Sequence, residues 1–235
     1  MPAYNGDVVG LRCGNHAFTY RISSNQITVL DSQKLNKTAQ RYTPQLFPSG
    51  KRSYHYGTVR NNQLAIERVF SLGRADEHAS LGRMHNGGDA YFATGFGPNA
   101  DNRCHGGIGS VVMHDATSGH CQVLVGQSNG YPYTPSGTHI SALAYKNPGW
   151  LVASSVGYNA KGNSPLAQEL YLTHSSGNKT CRIAHHRSSA RHGSIGYFAE
   201  PHPVISPSGT RVLFSSDWNN SGKVDTYVVE LPVYR

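Results

Sequence analysis

The chain has 235 residues, a formal net charge of +8, 13 histidines and few charged side chains. This length suits one all-β domain with a sizeable core, so we expect residues 1–235 to form a single domain. Four dispersed cysteines argue against a disulfide scaffold, and no run is long enough to span a membrane. The first residues lack the basic and apolar regions of a signal peptide. We expect a secreted or periplasmic protein if a signal was removed, and a cytoplasmic one otherwise.

The positive charge predicts an anionic partner. No block of five or more Lys and Arg residues points to nucleic acid, so the expected partner is an anionic polysaccharide and not nucleic acid or a membrane. The alternative is a basic protein whose charge serves only its solubility. We expect a monomer.

Short alternating strands separated by turn residues follow one another along the chain. Strands at Ala17–Ile22 and Gln26–Leu30 begin the series, and we expect Asp7–Leu11 to close the last sheet beside Asp225–Leu231. Three further repeats follow, and their predicted bounds are Thr43 to Leu72, His78 to Val125 with a Gly/Asn-rich insertion over 95–109, and His139 to Ile183.

The segment Phe198–Leu231 shows the repeat most clearly. Two strands meet at a Pro207-Ser208-Gly209 turn, and a third follows a polar loop. Similar turns stand at Pro48-Ser49-Gly50 and Asn147-Pro148-Gly149. Recurrent strand–turn–strand units of about 40 to 50 residues are typical of β-propellers. We therefore predict an all-β propeller of four-stranded antiparallel blades, about five in number.

These repeats resemble the Tol-type propellers, and among them the oligogalacturonate-lyase-like and ulvan-lyase-like polysaccharide lyases. The resemblance rests on Glu200–Trp218, on Thr138–Ser141 leading to Pro148–Leu151, and on Glu77–Gly82 leading to Gly88–Tyr91. It covers roughly residues 40 to 233. Those lyases have seven or more blades, so this chain is either a compact five-bladed form or a relative that lost blades.

A histidine stands just before the first strand of three successive repeats. His78, His139 and His202 are separated by 61 and 63 residues, and we expect them to meet at one mouth of the propeller. Converging imidazoles can hold a metal or share acid–base catalysis. Alternatively, each imidazole bonds only the backbone of a neighbouring blade.

The resemblance implies roles for these residues. His139 and His202, with Glu200, look like the positions of a divalent metal (Mn, Ca or Zn), and His78 looks like the catalytic base. Further catalytic candidates are His139, Tyr197 and Arg187. Candidates for binding the substrate are Arg83, His186, Tyr133 and Tyr145.

A second group of metal-ligating residue types lies in the third repeat. Cys104 and His105 precede its outer strands, and His120 and Cys121 lie between them. Two thiolates and one or two imidazoles are typical zinc ligands, but the group lacks a close CxxC pair. A Cys104–Cys121 disulfide and two free thiols are the alternatives.

Two functions are compatible with these features. The first is a polysaccharide lyase that cleaves a uronate-containing polymer by β-elimination. The second is a propeller without catalytic activity that binds a glycan or a protein at the same mouth. The matched histidines and the charge favour the first, whereas the missing blades favour the second.

Overall fold

The computed structural model describes residues 3–31, 33, 35–70, 78–95, 104, 109–131, 138–156, 165–190 and 195–232. Its regular structure consists of antiparallel sheets, and the predicted all-β propeller fold is confirmed. The described residues contain no α-helix; their short 3-10 helices are Ala39–Arg41, Gln127–Asn129 and Gly196–Ala199. No helix in the described ranges has the length and apolar character needed to cross a membrane.

The chain forms two compact units, the first of which is Met1–Leu72 with Ala116–Gly119. It contains a three-stranded sheet and a four-stranded sheet. The strands of the first sheet are β1 (Val8–Cys13), β2 (His16–Arg21) and β3 (Gln26–Val29); those of the second are β4 (Gln45–Leu46), β5 (Ser53–His55), β6 (Thr58–Arg60) and β7 (Ile66–Val69).

The second unit, Gly73–Asp115 with His120–Arg235, contains three sheets whose strands follow the chain order. The third sheet has β8 (Ala79–Arg83), β9 (Asp89–Thr94), β10 (Val111–Asp115) and β11 (Cys121–Val125). The fourth has β12 (His139–Ser141), β13 (Trp150–Ser154), β14 (Glu169–His174) and β15 (Thr180–His185). The fifth has β16 (Val204–Ile205), β17 (Arg211–Ser216) and β18 (Asp225–Glu230). That residues 1–235 make a single domain stays a prediction.

The predicted place of the N-terminal strand is wrong. β1 pairs with β2 along its whole length, from Val8↔Arg21 to Cys13↔His16. The two strands are joined by only two residues, and Gly14 has a φ of +56°, as tight hairpins require. Such a local hairpin closes a far shorter loop than pairing with a strand near residue 225, so its entropy cost is lower.

The recurring turns form as the sequence indicates. Gly209 has a φ of +71° and donates its N–H to Ser206 O at 2.8 Å. Gly50 has a φ of +68° and donates to Phe47 O at 2.9 Å. A side chain at either position would strain this left-handed backbone, so glycine ends each turn and lets the next strand begin.

In the second unit, β13 shows why the sheets stack face to face. Its side chains alternate: Leu151 and Ala153 pack into a core with the third sheet, whereas Val152 packs into a core with the fifth. A strand buried on both faces carries apolar residues at successive positions, as Trp150–Ala153 does. These two cores hold the third sheet against one face of the fourth and the fifth sheet against the other.

Candidate functional site

The first strands of the third, fourth and fifth sheets are linked by serine side chains. Ser80 on β8 accepts a hydrogen bond from the Ala142 N–H at 3.0 Å. Ser141 on β12 accepts one from the Ile205 N–H of β16 at 3.3 Å. Each serine lies two residues after a histidine of the predicted set. Because β8, β12 and β16 are held together in this way, the residues that start them are brought together.

The three imidazoles lie against one another at this end of the strands. The ring centroids of His78 and His139 are 4.4 Å apart, and those of His139 and His202 are 3.9 Å apart. His139 is buried, whereas His78 and His202 are half-buried. We refer to His78, His139, Glu200 and His202 as the histidine cluster.

Glu200 is the acidic member of the histidine cluster. Its carboxylate is fully buried, and Oε2 lies 2.6 Å from Nε2 of His139. Burial lowers the pKa of His139, the hydrogen bond to Glu200 opposes this effect, and the neighbouring His202 and His78 lower the pKa further. The net result is a pKa of His139 below its usual range, with burial as the largest cause.

His78 is oriented by the backbone of the next sheet. Its Nδ1 lies 2.6 Å from the carbonyl oxygen of Thr138, so Nδ1–H donates to that oxygen. The neutral ring then carries its lone pair on Nε2. This tautomer is the one that a general base needs, since a fixed Nδ1 donor also stabilises the imidazolium formed by proton uptake.

Tyr197 lies beside the cluster on the 3-10 helix Gly196–Ala199. Its ring centroid is 5.2 Å from that of His202 and 6.0 Å from that of His139. The side chain is half exposed, and the neighbouring Phe198 is 75% exposed. An aromatic surface bearing one hydroxyl thus adjoins the histidines.

Arg187 lies at the same end of the fourth and fifth sheets. Its guanidinium carbon is 5.7 Å from the ring centroid of Trp218, a cation–π contact. The Asn219 N–H donates to Arg187 O at 2.7 Å, and the Ser189 N–H donates to the Asp217 carboxylate at 2.7 Å. The loop that carries Arg187 is therefore fastened to the end of β17, and its cation remains exposed.

The histidine cluster has the donors of a divalent metal site. One ligand atom each from His139, Glu200 and His202 lie within 4.8 Å of one another. Two imidazoles and a carboxylate suit Mn²⁺ or Zn²⁺, whereas Ca²⁺ prefers all-oxygen ligands. The residues therefore fit Mn or Zn better than Ca. To act as a ligand through Nε2, His139 must give up the proton that it shares with Glu200.

Two predicted substrate-binding residues lie elsewhere. β8 runs from the His78 end to Arg83, so Arg83 is at the opposite end, roughly 16 Å away for a strand of this length. Arg83 is also close enough to Tyr145 to lower its pKa, although burial raises that pKa overall. Neither side chain is brought to the histidine cluster.

His186 is at the correct end of its sheet but is fully buried. Its Nε2 donates to Ser155 O at 2.7 Å, and its Nδ1 accepts the Ser188 N–H at 3.0 Å. Burial lowers its pKa to about 4, and we assign it a structural role. Tyr133 lies outside the described residues.

Cys104 and Cys121 are joined by a disulfide. His120 is exposed in the turn before β11, and His105 lies outside the described residues. A different histidine faces the sulfurs: His114 Nε2 is 3.5 Å from Cys121 Sγ. His114 and Cys121 are a cross-strand pair of the β10–β11 hairpin, a relationship that the seven-residue spacing around a Thr117-Ser118-Gly119 turn could have indicated.

Two solved structures are similar to this chain. A putative TolB from Agrobacterium tumefaciens matches with a TM-score of 0.55 and 14% identity, covering 97% of this chain and 75% of that one. An oligogalacturonate lyase from Vibrio parahaemolyticus matches with a TM-score of 0.51 and 14% identity, covering 92% of this chain. The match spans 55% of the lyase. At such identities the similarity shows a TolB-like propeller fold.

No protein-family model matches the chain, and no curated protein does either.

Proposed function

We propose that this protein is a polysaccharide lyase that cleaves a uronate-containing polymer by β-elimination. The observation that carries the proposal is the convergence of His78, His139, His202 and the buried Glu200 at one end of three adjacent sheets. The fold shared with an oligogalacturonate lyase adds support.

His78 is the proposed general base. Its Nε2 takes the proton from C5 of the uronate, and the C4–O4 bond breaks as a C4=C5 double bond forms. The electron pair of the broken bond stays on O4. Thr138 O, which accepts the Nδ1–H bond at 2.6 Å, stabilises the positive charge that His78 gains.

The remaining residues hold the substrate and return a proton. His139, His202 and Glu200 would hold a Mn²⁺ or Zn²⁺ ion, which supplies positive charge to the substrate carboxylate. Tyr197 is the proposed acid that protonates O4 of the leaving sugar, and the contact of its ring with two of the histidines supports this role. Arg187 binds a further carboxylate along the polymer, because its guanidinium is exposed and pinned over Trp218.

The test is ultraviolet absorbance, since each elimination creates a double bond conjugated to a carboxylate. The protein is incubated with polygalacturonate, ulvan and other polyuronates, with and without Mn²⁺ or Zn²⁺. We expect absorbance to rise on at least one polymer and His78→Ala to slow the rise by a factor of about 10² or more. The control is His120→Ala, which removes an exposed turn histidine and should leave the rate unchanged.

A binding protein without catalytic activity is the second candidate. One observation favours it: the short His139–Glu200 hydrogen bond lets two of the metal-binding groups satisfy each other. Tight binding of an oligouronate with no absorbance change on any of these polymers would establish this second function and exclude the first.

A further inference from the structure

The β10–β11 hairpin carries a second cluster of metal-ligating groups, away from the histidine cluster. His114 near the end of β10 faces Cys121 at the start of β11, and Cys121 is bonded to Cys104. One ligand atom of each residue lies within 4.8 Å of the other two. Neither the proposed lyase reaction nor glycan binding uses these side chains.

The distance between imidazole and sulfur matches that of a zinc site. With Zn–S near 2.3 Å and Zn–N near 2.0 Å, two ligands of a tetrahedral ion are separated by about 3.5 Å. His114 Nε2 and Cys121 Sγ are 3.5 Å apart. The Cα atoms of Cys104 and Cys121 are 5.3 Å apart, which leaves room for both sulfurs to reach one ion once the bond between them is broken.

His114 is held in place before any metal arrives. It is 3% exposed, and its ring packs edge-on against the buried Tyr91 with centroids 6.0 Å apart. Cys104 and Cys121 are half-buried, so neither residue is sealed inside the core. A fixed imidazole beside two half-buried cysteines resembles the preorganised ligand sets that bind zinc tightly.

We propose that this cluster is a redox-controlled zinc site that forms when the Cys104–Cys121 disulfide is reduced. A dithiol reductant gives two electrons and two protons to the disulfide, which becomes two thiols while the reductant is oxidised to its own disulfide. Zinc binding then releases the two thiol protons, and the ion takes two thiolate sulfurs, His114 Nε2 and one water. The hairpin therefore holds either the Cys104–Cys121 disulfide or a bound zinc ion, and never both at once.

Cobalt is a suitable probe, because Co²⁺ bound by thiolates absorbs strongly in the near ultraviolet and Co²⁺ bound only by imidazole and carboxylate does not. The protein carries Cys13→Ser and Cys181→Ser, which remove the two exposed free thiols. It is titrated with Co²⁺ before and after anaerobic reduction by a phosphine that is then removed. We expect one equivalent of thiolate-bound cobalt only after reduction, and its displacement by zinc.

Variants assign the ligands. Cys121→Ser should abolish the thiolate absorption, and His114→Gln, which leaves the disulfide able to form, should weaken cobalt binding by about tenfold or more. His120→Gln is the matched control and should leave the affinity unchanged. The proposal is overturned if the reduced protein shows no thiolate-bound cobalt, if Cys121→Ser retains the absorption, or if His114→Gln binds cobalt as tightly as the parent. Circular dichroism of the reduced parent protein checks that the sheets persist, and loss of the sheets on reduction would also overturn the proposal.

Discussion

Glu200 places Oε2 2.6 Å from Nε2 of His139, and its side chain has no exposure to solvent. This contact joins the first residue of β12 to the segment that leads into β16. A buried carboxylate is stable only when its charge is compensated, so the pair ties two sheets together at the end where the proposed reaction takes place.

Replacing Glu200 by Ala should therefore lower stability and not only activity. The change leaves His139 buried without its acceptor, and breaking a buried pair by removing one partner costs about 3 kcal/mol or more. The pKa of His139 should also fall further, because Glu200 raises it. Urea denaturation measures the loss of stability.

Glu230→Ala is the control for this prediction. Glu230 pairs with Arg211 at 3.2 Å on an exposed surface, where such a pair contributes about 0.5 kcal/mol or less. Equal losses for Glu200→Ala and Glu230→Ala would contradict the importance assigned to the buried pair.

His186 should make stability depend on pH. Its pKa is 6.5 in the unfolded chain and about 4 in the folded one, so the unfolded chain takes up a proton first as the pH falls. The neutral His186 side chain contributes its full stabilisation of the fold above pH 6.5. This stabilisation is lost progressively down to about pH 4, with about 2 kcal/mol lost by pH 5.

The comparison is the unfolding free energy at pH 7 and pH 5 for the parent protein and for His186→Gln. The variant should lose about 2 kcal/mol less than the parent over this interval, whereas the exposed-site control His120→Gln should follow the parent. If the parent and His186→Gln lose the same unfolding free energy between pH 7 and pH 5, His186 is not the cause of the pH dependence.

The serine links between sheets give a third prediction. Ser80→Ala removes the acceptor of the Ala142 N–H and leaves a buried donor without its partner, at a cost of about 1 to 3 kcal/mol. Ser154→Ala is the control: among the described residues, the buried Ser154 Oγ has no hydrogen-bond partner, so its removal should be neutral. In thermal unfolding, Ser80→Ala should melt at a lower temperature than Ser154→Ala. A larger loss of stability for Ser154→Ala would contradict this prediction.

Gly82 gives a fourth prediction. A methyl group there would lie 2.6 Å from Ala142 Cβ and 2.7 Å from Ala142 O, so Gly82→Ala should push β8 away from β12 and cost about 2 kcal/mol. Under the proposed function it should also slow catalysis, because His78 directly precedes β8 and His139 is the first residue of β12.

Gly87→Ala is the comparison, since Gly87 has a φ of +84° with no atom within 4 Å of an added methyl. Gly87→Ala should therefore lose only about 1 kcal/mol of stability, from the strained backbone, and the rate of catalysis should not change. A Gly82→Ala protein that is as stable and as active as the parent would show that the two strands can separate at no cost.

The sequence is informative where one residue type recurs at one place in a repeat. The Pro-Ser-Gly turns predict the strands that flank them, and nearly equal intervals of 61 and 63 residues predict equivalent positions for His78, His139 and His202. Equivalent positions of stacked sheets face the same way, so residues that recur at one place in each repeat are expected to lie together in the folded protein.

Repetition says nothing about residues that occur once. Arg83 follows His78 by five positions, which is one strand length, and so it lies at the other end of the sheet. His186 and Arg187 are adjacent, yet one is fully buried and the other is exposed, and the backbone of Arg187 takes a positive φ of 53°. Neither the length of a strand nor a reversal of the backbone is encoded in the spacing of histidines.

His202 has a φ of +42° between Pro201 and Pro203. Few amino acids adopt this geometry readily, and residues branched at Cβ are the least suited to it. A replacement at position 202 must therefore meet two demands: glycine suits the backbone but removes the donor atom, valine suits neither, and only asparagine and aspartate keep a polar group at low conformational cost. The backbone geometry alone therefore restricts position 202 to few residue types, whatever role the side chain has.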